Sequence, residues 1–310
     1  MRTTFMRALT ELAAEDQRVV LLTGDLGWGT IERFAAAFPG RFLNVGVAEQ
    51  NMAGLASGMA RDGLVPYIYS IATFATMRGY EQFRNGAALH NLPVRLIGIG
   101  GGFAYGHAGP THYALEDLAI LRTQPSVAVI APADSSQARA ALWSMAGHPG
   151  PVYFRVDKNE RPDLSGLAGR FALGRPEPIR AGGEVLLLAT GSITYEVLKA
   201  AELLAAAGTS AAVAVMAHLP FEPSAELVEL LAGYPAVVTV EEASSAGGLG
   251  SLAAESIARG GLRCRLVPLG VARPLPFASG STAYMRRLVG LSPESIAQEA
   301  AAVIRKRAVA

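Results

Sequence analysis

Short apolar runs alternate along this chain with stretches whose apolar positions recur at helical spacing. Phe5, Leu9 and Leu12 predict a first helix, and Val19-Val20-Leu21-Leu22 a buried strand ending at Thr23-Gly24-Asp25. Strand-like runs return at residues 42–45, 65–69, 94–99, 126–131 and 152–156, each separated by sequence of helical composition. Such alternation predicts a mainly parallel sheet covered on both faces. The pattern lapses over residues 161–183, where Pro162, Gly166, Gly174, Pro176, Pro178, Gly182 and Gly183 predict an irregular connection. A second series follows, with strands at 185–189, 211–216 and 236–240 and helices from about Ile193, Ser224 and Gly250. The expected architecture is α/β, with two doubly wound domains at residues 1–160 and 184–310 joined by the 161–183 linker.

The stretch Gly46-Val47-Ala48-Glu49-Gln50-Asn51-Met52 sits at one of these transitions. It leaves a strand at Phe42-Leu43-Asn44-Val45 and enters small and apolar residues at helical density. Glu49 therefore falls where strand gives way to helix, a carboxylate at the mouth of a core. Within this window alone a helix-start acid favoured by the macrodipole is the readier account.

Composition narrows the classes. The 310 residues are 51% apolar and 17% charged, enough for a sizeable core with little disorder. Lysine plus arginine number 27 against 26 aspartate plus glutamate, and no long basic tract occurs, so nucleic acid is not an expected partner. Cys264 is the single cysteine, which fits a reducing compartment. The first residues meet Glu11, Glu15 and Asp16 too early for a signal peptide, and no run is long enough for a membrane span. The expected location is cytoplasmic.

Three loops are candidates for chemistry. Gly98-Ile99-Gly100-Gly101-Gly102 follows a strand, but Phe103 or Tyr105 occupies the third glycine position of a dinucleotide fingerprint. The same loop continues through His107, Gly109-Pro110-Thr111 and His112, two of five histidines where a parallel sheet places its ligand crevice. Their spacing matches no helical zinc motif; proton handling is the expected use, with a solvated loop carrying one capping histidine as the alternative. In Tyr69-Ser70-Ile71-Ala72-Thr73-Phe74-Ala75-Thr76-Met77, the residues Ile71, Phe74 and Met77 recur at three-residue spacing and are expected to share one helix face.

Glu49 within Val-Ala-Glu-Gln-Asn-Met, Phe74 after Tyr-Ser-Ile-Ala-Thr, and the Gly-Pro-Thr-His loop ending at His112 occur in the order seen in thiamine-diphosphate enzymes of the transketolase family. The chain resembles the carboxy-terminal half of a transketolase, as found in the small subunit of two-chain members. Ala189-Thr190-Gly191-Ser192, Thr239-Val240-Glu241-Glu242 and Gly247-Gly248-Leu249-Gly250 extend the resemblance through the second domain. It implies a pyrimidine-binding domain followed by the family's carboxy-terminal domain, the latter expected to serve interface and stability.

That resemblance implies roles for particular residues. Thiamine diphosphate works by losing a proton from its thiazolium ring, and the protein supplies orientation and electrostatics. Glu49 is implied to share a proton with a ring nitrogen of the aminopyrimidine, from a largely apolar pocket. Phe74 is implied to lie against that ring, a contact worth about 0.5 to 1.5 kcal/mol beyond burial. Ile71, Met77 and Val47 complete an apolar wall, Asp25 borders the cofactor, and His112 faces the oxygens of the substrate. Arg2 and Arg155 match the family's phosphate-facing arginines, and His107 is a further substrate contact.

Half of the implied site is missing. The family holds diphosphate through Mg2+ on a motif beginning Gly-Asp-Gly, whereas this chain offers Gly24-Asp25-Leu26-Gly27, in the other domain. An amino-terminal-half subunit is therefore the expected partner, in a two-plus-two heterotetramer, holding diphosphate and metal while this chain supplies no metal ligand. Gly100 and Ala108 stand where sugar-phosphate transketolases carry a histidine and an aspartate, and Tyr113 and Ala243 also depart from the pattern. The expected reaction is transfer of a two-carbon ketol unit from a ketose to an aldehyde, with unusual sugars as substrates. The alternatives are a decarboxylating relative, like deoxyxylulose-phosphate synthase or a 2-oxo-acid dehydrogenase beta subunit, and a non-catalytic assembly or regulatory subunit.

Overall fold

The structure is a computed structural model that describes residues 1–272 and 277–308; residues 273–276 and 309–310 of the expected second domain lie outside the described residues. The first half runs α1 (Arg2–Glu15), β1 (Val19–Thr23), α2 (Glu32–Ala37), β2 (Phe42–Asn44), α3 (Glu49–Arg61), β3 (Val65–Ile71), α4 (Ala72–Met77), α5 (Tyr80–Gln82), β4 (Arg95–Ile99), α6 (Asp117–Arg122), β5 (Ala128–Ile130), α7 (Ser135–Ser144) and β6 (Val152–Val156). The second runs β7 (Glu177–Arg180), β8 (Val185–Thr190), α8 (Thr194–Ala206), β9 (Ala211–Val215), β10 (His218–Leu219), α9 (Ala225–Ala232), β11 (Ala236–Ser244), α10 (Leu249–Arg259), β12 (Arg265–Val271), α11 (Thr282–Leu288) and α12 (Pro293–Ala308).

Two sheets form, in the orders β10-β5-β6-β4-β3-β1-β2 and β12-β11-β8-β9-β7. The apolar runs demand this: β1, β4 and β6 are buried along their whole lengths, which a sheet achieves only with helices on both faces. Side chains alternate across the sheet, so Leu21, Tyr67 and Phe154 pack beneath α1 and α7, while Leu22, Ile68 and Leu96 pack beneath Met52 and Ala56 of α3. In the first sheet β1 leads to β2 on one side, whereas β3 and β4 extend to the other. That reversal opens a crevice at the carboxyl ends of the strands, the usual position for a ligand in an open α/β sheet.

Three elements differ from the sequence-based expectation. Residues 177–180, inside the expected linker, form β7 and pair antiparallel with β9. An edge strand tolerates the proline and charges of Glu177-Pro178-Ile179-Arg180 that hide it from a periodicity reading. β12 is a further strand at the opposite edge, parallel to β11. Most strikingly placed in sequence terms, the two-residue β10 leaves the second half to pair antiparallel with β5 of the first sheet, His218 opposite Ile130. Hydrogen bonds from Ala131 N to Ala217 O (2.7 Å) and from Gly191 N to Ala131 O (3.1 Å) extend that seam. Among the described residues no helix is long and apolar enough to cross a membrane.

Candidate active site

Glu49 opens α3 and is only 3% exposed. Its carboxylate has two partners. Ser70 Oγ, on the last turn of chain in β3, donates to Oε1 at 3.1 Å. Arg78 Nη1 donates to Oε1 at 3.3 Å and Oε2 at 3.2 Å. The wall around Glu49 is therefore not wholly apolar as expected, because a guanidinium reaches it from the end of α4. Gly24 lies beneath: a Cβ there would meet Gly46 O at 3.4 Å and Glu49 Oε1 at 3.7 Å.

Phe74 is half-buried on α4, and Arg78 follows it by one helical turn, so the two side chains share a face. The Arg78 guanidinium carbon lies 3.8 Å from the Phe74 ring centroid. The imidazole of His112 approaches the same ring edge-on, with centroids 5.1 Å apart. Ile71 is not on this helix face: it ends β3 and precedes α4, so only Phe74 and Met77 of the expected trio are helical.

The loop carrying His112 is closed by a backbone bridge between Gly102 and Ala114, with hydrogen bonds of 2.8 and 3.1 Å. Its glycines are required by what packs on them. A Cβ on Gly101 would lie 2.0 Å from Arg155 Nε, and one on Gly102 would lie 2.6 Å from the Glu242 side chain. Glu242 Oε1 accepts from Phe103 N at 2.7 Å, and its Oε2 pairs with Arg286. The second of the paired glutamates thus clamps the histidine loop to the second half of the chain. Its neighbour Glu241 caps α10, accepting from Leu249 N and Gly250 N, both at 2.9 Å. Burial pushes the Glu241 carboxyl up to about 7 against those donors.

The remaining expected site residues divide by exposure. Asp25 is exposed at the carboxyl end of β1, with φ +58°, and is held by Asn44, whose Nδ2 donates to its Oδ1 at 3.0 Å. Val47 is 71% exposed and Met77 38% exposed, on the rim beside Glu49. His107 is exposed on a helical turn of the glycine-rich loop. Arg155 differs most from its expected role as a phosphate contact. It is 7% exposed, lies 2.9 Å from Asp117 Oδ2, and donates to the carbonyls of Ala114 (2.6 Å) and Glu242 (2.9 Å). Those partners turn it into the crevice floor. Arg2 stays half-buried at the start of α1, its Nε without a hydrogen-bond partner.

Sequence reasoning missed Arg78, Tyr105 and Glu242 as site components. The four-residue step from Phe74 to Arg78 was a usable signal, and Glu242 stands in the Thr239-Val240-Glu241-Glu242 string; nothing local marks Tyr105, whose placement depends on distant packing. Tyr105 lies with its ring centroid 6.4 Å from that of His112.

The residues fit the pyrimidine half of thiamine diphosphate. A planar, cationic donor group, Arg78, already rests on Phe74 and bonds to Glu49, so the ring face and acceptor form one recognition surface for a planar nitrogen base. For the diphosphate and Mg2+ half, the described residues contain no group of three or more His, Cys, Asp or Glu side chains suited to a metal ion.

Comparison with known proteins agrees with this arrangement. Residues 1–162 match the transketolase pyrimidine-binding domain, and residues 174–296 match the transketolase C-terminal domain. The 6-deoxy-6-sulfo-D-fructose transketolase subunit SqwH of Clostridium sp. (strain MSTE9) is 38% identical, covering 99% of this chain and 95% of that protein. The 1-deoxy-D-xylulose-5-phosphate synthase of Symbiobacterium thermophilum is 35% identical over 97% of this chain, which spans 46% of that protein. A solved structure described as a split gene transketolase, inactive beta4 tetramer, superposes with TM-score 0.88 at 35% identity over 98% of both chains. By both halves of its sequence the chain belongs to the transketolase family, as a transferase subunit whose family chemistry depends on thiamine diphosphate.

Proposed function

We propose that this chain is the small subunit of a heteromeric transketolase that moves a two-carbon ketol unit from a ketose donor to an aldehyde acceptor. The observation that carries the reading is the convergence of Glu49, Phe74 and His112 in one crevice at the carboxyl edge of the first sheet. Thiamine diphosphate bound there would supply the nucleophilic carbon for breaking and making the carbon–carbon bond. Glu49 shares a proton with a pyrimidine ring nitrogen, and Phe74 fixes the plane of the ring. Ile71, Met77 and Val47 shield that face from water, with Asp25 at the border. His112 gives and takes protons at substrate oxygens, and His107 and Arg2 face the outer part of the sugar.

The partner supplies the diphosphate and Mg2+ contacts. Support comes from the exposed apolar rim of Val47, Met77 and Leu55, the last 40% exposed, and from Gly54 and Gly58 of α3, beside which a Cβ would meet nothing within 4 Å. Such a face allows another chain to approach closely, as expected for a two-plus-two heterotetramer in the cytoplasm. On this reading residues 1–160 are the pyrimidine-binding domain and 184–310 the carboxy-terminal domain. Unusual sugars are the favoured substrates, since relatives are named for 6-deoxy-6-sulfo-D-fructose and, at 31% identity in Phocaeicola vulgatus, apulose-4-phosphate.

The test is calorimetric titration of Mg2+ and thiamine diphosphate into this chain alone and into its mixture with an amino-terminal-half subunit. Tight binding confined to the mixture, with ketol transfer, is the expected result. Tight binding to the chain alone overturns the split site. The synthase match favours one competing reading, decarboxylation of a 2-oxo acid; carbon dioxide release from pyruvate without ketol transfer would replace ours.

A further inference from the structure

We infer that a cavity of about 580 Å³, on the edge of the first sheet opposite the crevice, is a second binding site, one that takes an uncharged planar nitrogen heterocycle of the aminopurine kind. It opens where the two halves of the chain meet, between the amino end of β5 and the segment that leaves β10, and both its place and its volume are usual for a small-molecule site. His148, in the loop before β6, and His218 of β10 both line it, together with Phe221 and Glu222. Gly174 N donates to His218 Nδ1 at 2.8 Å, so the ring proton sits on Nε2 and the residue offers the cavity a neutral N–H donor. Phe221 is 44% exposed, an aromatic surface left uncovered. Glu222 meets Arg259 only at 3.5 Å, with both side chains exposed, so its carboxylate is free to accept. These three groups stand on one segment, residues 218–222, where one flat molecule reaches them all.

The walls are held before any ligand arrives. Arg95, fully buried at the start of β4, donates to the carbonyls of His148 and Gly150 and fixes the loop that presents the first imidazole. Arg122, itself buried, donates to Pro220 O at 3.0 Å and Phe221 O at 3.4 Å, and Glu255 matches its charge. Preformed walls reduce the ordering that binding would otherwise require. The lining then selects the ligand. Burial lowers His218 to about 4 and also lowers His148, so both are neutral near pH 7 and Glu222 carries the only formal charge among the described lining residues. A phosphate or carboxylate would meet that acid with no lining cation to offset it. A planar base instead lays its face on Phe221, accepts from His218 Nε2 through a ring nitrogen, and donates an exocyclic amine to Glu222. A purely apolar ring would leave the His218 donor without a partner, which favours an aminopurine over a benzene-like compound.

The test titrates three probes into the full chain: adenosine, purine riboside, which lacks the exocyclic amine, and inorganic phosphate. The chain has five histidines, His90, His107, His112, His148 and His218, so 1H–15N spectra of the imidazoles resolve the site, with His148→Gln and His218→Gln assigning two of the signals. Adenosine should shift the His148 and His218 signals and leave those of His107 and His112, in the crevice loop, unmoved. Phosphate should move neither cavity histidine. By calorimetry Phe221→Ala should weaken adenosine about 5- to 150-fold, the span of base–aromatic stacking. Phe221 is exposed, so its truncation should leave the circular dichroism of the chain unchanged and carries the test even if His218→Gln disturbs folding. Glu222→Ala should weaken adenosine about threefold to tenfold and leave purine riboside unchanged. Adenosine that moves neither cavity histidine at millimolar concentration, that moves only His107 and His112, or that binds Phe221→Ala as well as the parent overturns the inference, as does an equal response to phosphate. Each readout uses this chain alone and no turnover, so failure here leaves the ketol-transfer reading standing, and failure of that reading leaves this site standing.

Discussion

The Arg78 guanidinium stacks 3.8 Å from the Phe74 ring centroid while donating to both carboxylate oxygens of Glu49. It thus covers the two surfaces that a pyrimidine ring would use, so cofactor and guanidinium compete for one place. Because the Arg78 side chain is 46% exposed, solvent screens its ion pair and the contact is a modest barrier. Arg78→Ala is expected to tighten thiamine diphosphate binding by the partnered chain about threefold to tenfold, the span of an exposed cation–π contact and a screened ion pair. Fluorescence titration checks this; weaker binding would show that Arg78 stays as a ligand.

On the proposed function, Glu49→Gln keeps the shape of the side chain and removes the carboxyl that would share a proton with the pyrimidine. Turnover by the assembled complex should fall by about 10²- to 10⁴-fold, the usual range for a positioned acid or base. Circular dichroism of the variant should match the parent. Full activity of Glu49→Ala would return the chain to the class of non-catalytic assembly subunits.

Glu242 joins Phe103 N of the histidine loop to Arg286, and all three sites are buried. Truncation to alanine leaves Arg286 with Glu196 as its carboxylate partner, at 3.1 Å. Urea unfolding of Glu242→Ala should show a loss of about 3 to 5 kcal/mol, as for other broken buried pairs. Ketol transfer should fall along with it, since His112 loses its anchored loop, and Glu242→Gln should recover part of both by retaining the acceptor for Phe103 N.

Glu241, which is buried, and His218, which is partly buried, give stability opposite pH dependences. Glu241 has a folded pKa near 7, above its ordinary 4.5, so its contribution is complete below about 4.5 and disappears as pH rises to 7. Burial, aided by His148, lowers His218 to about 4 from 6.5, so its contribution is complete above 6.5 and disappears as pH falls to 4. Relative to the parent, Glu241→Gln should therefore gain about 3 kcal/mol between pH 4.5 and 7. His218→Asn should differ in pH dependence only on the acid side. Urea midpoints across pH 4 to 8 check both slopes.

Much of the fold is legible in the chain because its central strands are buried on both faces and must therefore be apolar throughout, as in Val19-Val20-Leu21-Leu22. The edges are not. β7 carries Pro178 and two charged ends, and β10 has only two residues, so neither produces a period. Ile71 illustrates the same limit: spacing places it with Phe74 and Met77, yet the strand register to Ile99 keeps it in β3.

The sequence by itself determined the alternation of strands and helices, and the order of the Glu49, Phe74 and His112 motifs that marks the family. Those depend on local periodicity and on short strings. Only the tertiary structure decided which charges are available to a ligand. Arg155 and Lys158 are three positions apart on one strand and its exit, but Asp117 and the Glu242 carbonyl engage the first, whereas Tyr105 holds the second without neutralising it. Burial and pairing are made by residues remote in the chain, so the chemistry of a charged side chain is fixed when the sheet and its loops close around it.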